Sequence, residues 1–125
     1  MKLILAFIFI FNLHQSDLTG EVAAAFRQGN ARDLSKHFGN NVDLTVSGKQ
    51  EMYSKAQAEQ VLRGFFLKHP PRNFIIKSKS TANTATPFGI GTYTSTSAEH
   101  FRVYFLVKRI GNQSFIQQLS IENES

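Results

Sequence analysis

No cysteine occurs anywhere in the chain, which excludes disulfides, thiolate nucleophiles and cysteine-ligated zinc. Tryptophan is also missing, and tyrosine and proline number only 3 each. Charge is sparse: 18% of the residues are charged, 14 Lys and Arg against 9 Asp and Glu. The basic residues are scattered and form no run resembling a nucleic-acid arm, so nucleic acid is not an expected partner. A stable membrane span is not expected either. A bilayer-crossing helix needs roughly 20 apolar residues, and the one long greasy run ends by Leu13.

What remains is an ordinary globular composition, 42% hydrophobic over 125 residues, enough for one core without staples. Phenylalanine is over-used, with 12 residues. Large flat side chains in that number suit an aromatic core or an apolar cavity. The formal charge of +5 favours weak attraction to anionic surfaces.

The chain opens with Met1, Lys2 and then Leu3 to Phe11, one positive charge followed by a short apolar run. That is the pattern of a secretory leader. No Ala-x-Ala follows it; Ser16, Thr19 and Gly20 are the small residues on offer for cleavage. Residues 1–15 are read as a leader and 16–125 as a single domain, exported to the periplasm or beyond.

Within that domain, Asp17 or Thr19 caps a first helix, whose stripe is Leu18, Val22 and Phe26, and Gly29 stops it. Asn30 starts a short second helix running to Phe38, with Gly39 closing it and Asn40-Asn41 as a turn. Val42, Leu44 and Val46 alternate with polar residues as a strand, and Ser47-Gly48 turns it into a short polar partner. Ser54 and Gln57 form a capping box opening the best helix, where Ala58, Val61, Leu62 and Phe65 share one face and Pro70-Pro71 ends it. The rest reads as strands: 73–80, 88–97 (with Gly89 and Gly91 marking a bulge or bend), 99–110 and, past a Gly111-Asn112 turn, 113–121. The spacing predicts an α+β domain. Three N-terminal helices, with a short hairpin before the third, pack on one face of a curved antiparallel sheet.

This order resembles the nuclear-transport-factor-2-like superfamily, the cone-shaped, cystatin-like α+β fold, over residues 17–123. The stretches GEVAAAFRQGNARDLSKHF, VDLTV and YSKAQAEQVLRGFFLKHPP resemble a family of small exported bacterial proteins of unknown function within it. The resemblance implies strands curled round the third helix and a pocket at the wide end of the cone. In that superfamily some pockets catalyse isomerisation or dehydration, many bind a small apolar ligand, and other members only associate. The fold does not choose among these.

No residue set forms a recognisable active site. His37 and His69 stand near helix C-termini, where a cation is favoured by exposed carbonyls. No spacing of the histidines supports a metal site, so neither metal nor cofactor is expected. Asp43 alternates with Val42 and Leu44 and most simply faces solvent. His100 opens a long strand from which it can face a cavity. Phe65, Tyr93, His100, Phe101 and Phe105 are the candidate pocket lining. Phe101, Val103, Phe105 and Val107 fall on one face of their strand, with Tyr104 and Leu106 on the other. One face covers the helices, and a homodimer through the exposed sheet face would cover the other. The function expected is therefore a non-enzymatic module that binds a small apolar ligand or mediates assembly. A pocket enzyme using Asp43, His100 or Tyr93 and a binder of anionic surfaces are the alternatives.

Overall fold

The computed structural model describes residues 18–81 and 84–124; the leader expected at residues 1–15 and the cap expected at Asp17 lie outside them. The chain runs α1 (Leu18–Gln28), α2 (Ala31–Ser35), β1 (Phe38–Val46), β2 (Lys49–Ser54), α3 (Lys55–Lys68), β3 (Pro71–Lys79), β4 (Phe88–Ser95), β5 (His100–Ile110) and β6 (Gln113–Asn123). Two helices thus precede the β1–β2 hairpin, and the third lies between strands rather than in an N-terminal group. The six strands form one sheet in the order β2-β1-β6-β5-β4-β3. Every pairing is antiparallel except that of β1 with β6, which is parallel. Among the described residues no helix is long and apolar enough to cross a membrane.

Local chemistry sets the helix limits. Ser54 accepts from the Gln57 amide while the Gln57 side chain accepts from the Ser54 amide, the reciprocal box that opens α3. Gly29 ends α1 at φ 62°, and Thr19 sits inside that helix rather than capping it. The second helix is shorter than its sequence predicts. Asn30 caps it, accepting from the Asp33 amide at 3.0 Å, but the helix closes at Ser35. The carbonyl of His37 accepts from the Ile116 amide at 2.7 Å and Phe38 pairs with Ile116, so parallel pairing with β6 draws the chain into a strand before the expected Asn40-Asn41 turn.

The core lies between the helices and one face of the sheet. Val22 and Phe26 of α1, Leu62 of α3, Phe74 of β3, Val103 of β5 and Leu119 of β6 are all fully buried there. β4 alternates without exception, burying Gly89, Gly91, Tyr93 and Ser95 and turning Phe88, Ile90, Thr92 and Thr94 outward. The bulge expected at these glycines falls on the partner strand, where the β3–β4 register shifts between Ile76 and Ser78, opposite Gly91 and Ile90. A side chain at Gly89 would run into the Phe105 ring, and one at Gly91 into Phe74. The two glycines keep room for rings that cross the inner face.

β2 and β3 are the sheet edges. Arg27 of α1 donates from Nε to the carbonyl of Phe74 on β3 at 3.1 Å, satisfying a backbone group of that edge. Arg72, Lys77 and Lys79 along β3 add charges that oppose pairing with another chain.

Candidate functional site

The interior is aromatic. Phe26 stacks on Phe74 with centroids 4.8 Å apart and meets Phe66 and Tyr93 edge-on. Phe65 lies 5.4 Å from Tyr93 and 5.1 Å from Phe101. These separations are those of rings in direct contact. Of the five residues expected to line a pocket, Phe65, Tyr93 and Phe101 therefore pack on one another, and Phe105 lies inward against Gly89. His100 does not face the interior. Phe101 takes the inward position, alternation turns His100 outward, and its Nδ1 lies 3.1 Å from the Thr94 hydroxyl on the exposed face. Asp43 also lies on the outer side, where its carboxylate accepts two hydrogen bonds from the Gln50 amide.

A polar cluster closes the end of the sheet where α3 turns into β3. His69, the C-cap of α3, rests its ring on Phe65 and Phe101 at 5.1 and 4.9 Å. Its Nδ1 is 2.8 Å from Oε1 of Glu99, and the side chain is only 13% exposed. The Ser95 hydroxyl, fully buried, donates to the same carboxylate oxygen at 3.4 Å and accepts from the Glu99 amide at 3.1 Å. The Thr96 amide donates to the Pro70 carbonyl, and the Tyr93 hydroxyl donates to the His69 carbonyl.

Serine, histidine and glutamate thus converge, but in the wrong order for nucleophilic catalysis. In a triad the imidazole stands between hydroxyl and carboxylate and takes the hydroxyl proton. Here the carboxylate stands between, so no imidazole reaches the Ser95 hydroxyl to take its proton. The cluster ties the α3–β3 corner to the β4–β5 turn. Sequence reading placed His69 correctly at a helix end and missed its partner, because Glu99 lies 30 positions on and no motif links the two.

Burial holds the Tyr93 hydroxyl well above the ordinary tyrosine range. The neutral form is therefore favoured in the fold. The stability it contributes is complete below about pH 10, the unfolded tyrosine value, and is lost as pH rises above it. Urea midpoints measured from pH 9 to 11 are expected to fall with pH, and Tyr93→Phe is expected to flatten that fall. An equal slope in both proteins would show that Tyr93 is not the titrating group.

The third feature is a depression of about 340 Å³ between the α1–α2 corner and α3. Gly29, Phe66 and Pro71 contribute to its apolar lining, and Arg32, Arg63 and Leu67 also border it. Among the described residues no group of three His, Asp or Glu side chains is placed to hold a metal ion.

The fourth is the outer face of the sheet. Phe88 and Leu106 are cross-strand partners, as are Ile90 and Tyr104, and the four make one apolar block across β4 and β5. Phe88 stacks on Tyr104 at 6.4 Å. Ile75 of β3, 45% exposed, extends the block, and Ser78, Thr92, Gln118 and Ser120 flank it.

Comparison with known proteins places this arrangement. The family model described as Domain of unknown function (DUF4783) matches residues 19–122. The chain belongs to that family. A family member from Bacteroides ovatus shares 30% identity, with 84% of this chain and 94% of that one covered and a TM-score of 0.77. One from Bacteroides uniformis shares 27% identity over 87% and 99% of the two chains, with a TM-score of 0.80. A domain of unknown function with a cystatin-like fold from Nostoc punctiforme superposes with a TM-score of 0.66 at 8% identity, over 85% of this chain and 72% of that one. At that identity the likeness is one of fold alone. No curated protein matches. The likeness to a cystatin-like fold agrees with the resemblance that the order of elements carries.

Proposed function

We propose that this DUF4783 domain is a non-enzymatic, exported, cone-shaped module that works by assembly, a second copy of the chain docking on its outer sheet face. The observation that supports this reading is the block of Phe88, Ile90, Tyr104 and Leu106, apolar and partly exposed, surrounded by polar side chains. An apolar centre with a polar rim is the anatomy of a protein interface. The block lies on paired antiparallel strands, and a patch of this kind can meet its own copy in an isologous contact about a two-fold axis. Arg102 and Glu122 are cross-strand partners on the same face, so two copies can meet with opposite charges opposed. The rings that fill the space above the inner face favour assembly over an apolar ligand held inside.

Sedimentation equilibrium tests it. At about 50 µM the wild type is expected to be a dimer, and Leu106→Lys a monomer with an unchanged circular dichroism spectrum and a stability within about 0.5 kcal/mol. A monomeric wild type, or a Leu106→Lys dimer as tight as the wild type, overturns the reading.

A further inference from the structure

We propose that the depression between the α1–α2 corner and α3 binds a small organic carboxylate with a short apolar body, gripped by Arg32 and Arg63. Its volume, about 340 Å³, lies at the lower end of the range for small-molecule sites.

The hollow follows from sequence. Gly29 is there because α1 ends in the left-handed region, and because a Cβ at that position would come within 3.0 Å of the Pro71 ring. The missing side chain leaves Pro71 and Phe66 as an apolar wall. Phe66 is 6% exposed and held edge-on by Phe26, so that wall is rigid. Leu67, at 77% exposure, stands at the rim. It is a large apolar side chain left in water beside an apolar wall, and a ligand body laid between them would cover it.

The charge is of one sign. Among the described residues, the charged ones lining the depression are Arg32 and Arg63. Arg63 is steadied by Glu59, with Nη2 to Oε2 at 3.2 Å, and Glu59 is itself fixed by the Ser35 hydroxyl at 3.2 Å. That pairing leaves further N–H donors of Arg63 to point elsewhere. The neighbouring acid Asp33 is engaged by Lys36 and by the Asn30 amide, at 3.0 and 2.8 Å. Arg32 has no side-chain partner among the described residues. Two planar guanidiniums beside an apolar wall match a carboxylate on a hydrophobic stem, since the planar fork pairs with carboxylate oxygens. A cationic ligand of the same shape would be repelled.

The site is separate from the outer sheet face, so it stands or falls independently of assembly. The test is NMR on the full domain, reading ligand signals and protein amide shifts together while titrating 4-phenylbutyrate, 4-phenylbutanol and 4-phenylbutylammonium. The acid is expected to bind saturably at millimolar concentration, and the alcohol and the amine at least about tenfold more weakly. Arg32→Gln and Arg63→Gln are each expected to weaken the acid by about tenfold, with shift changes confined to Gly29, Phe66, Leu67 and their neighbours. Both arginines are exposed, so these variants should fold, and matching amide spectra would establish it. Equal affinity for acid and alcohol, binding unchanged in both variants, shifts centred on the sheet, or no binding of the acid at about 10 mM would each overturn the proposal.

Discussion

Gly91→Ala is expected to cost about 3 kcal/mol of folding stability, in a domain whose total is on the order of 5–15 kcal/mol. A Cβ at Gly91 would lie 2.6 Å from the end of the Phe74 ring and 2.8 Å from the backbone oxygen of Ile75. Neither can yield cheaply. Phe74 is fully buried and stacked on Phe26, so it has no room to swing. The Ile75 oxygen belongs to β3, whose pairing with β4 sets Ile76 opposite Gly91. The strands would have to separate or the ring leave its rotamer. Gly64 is the control. It stands exposed within α3 with nothing within 4 Å of its added Cβ, so Gly64→Ala should stabilise by about 0.5–1 kcal/mol. Urea unfolding of the two variants should move the midpoint in opposite directions at constant slope. A Gly91→Ala midpoint equal to that of the wild type would show that β4 does not hold the ring-packed register described above.

That contrast marks where sequence reading succeeds and where it stops. Local signals are legible because their physics is local. The Ser54 and Gln57 box, the Gly29 stop and the Ser47-Gly48 and Gly111-Asn112 turns each act within a few residues, and each appears in the structure where the sequence puts it. The two faces of β5 are legible because alternation has a period of two. Long-range partners are not. Gly89 and Gly91 read as marks of a bulge or bend, but nothing local says that they also leave room for rings contributed by β5 and β3. The early end of α2 depends on Ile116, almost eighty positions away in the chain, and the parallel pairing of β1 with β6 gives no local sign. The same holds for the sites. Phe65, Tyr93, Phe101 and Phe105 could be read as inward-facing, but nothing in their spacing says whether such rings surround a space or fill it. Of the five residues expected to line a pocket, His100 alone turns outward, because Phe101 beside it takes the inner position. The Arg32 and Arg63 depression joins residues of two helices that no motif connects.

The filled interior can be tested by emptying it. Phe26→Ala is expected to cost about 4 kcal/mol and to lower Tm by about 20 °C, because it removes the ring that Phe66, Phe74 and Tyr93 all contact. Phe26→Leu keeps most of the volume and should cost about 1.5 kcal/mol. The deleted ring leaves an apolar space walled by other rings, and such a space stays dry and accepts small apolar molecules. Benzene or indole at saturating concentration should therefore recover part of the lost stability in Phe26→Ala, by mass action on the folded state alone. The wild type, with the ring in place, should gain little from the same ligands. This comparison separates two designs that the same phenylalanine-rich sequence permits. If benzene raises the Tm of the wild type as much as that of Phe26→Ala, the native interior already holds an apolar ligand, and assembly is no longer the favoured use of the fold. If only the variant responds, the rings are the core itself, and recognition belongs to the outer surfaces: the sheet block at Leu106 and the arginine-bordered depression at Gly29.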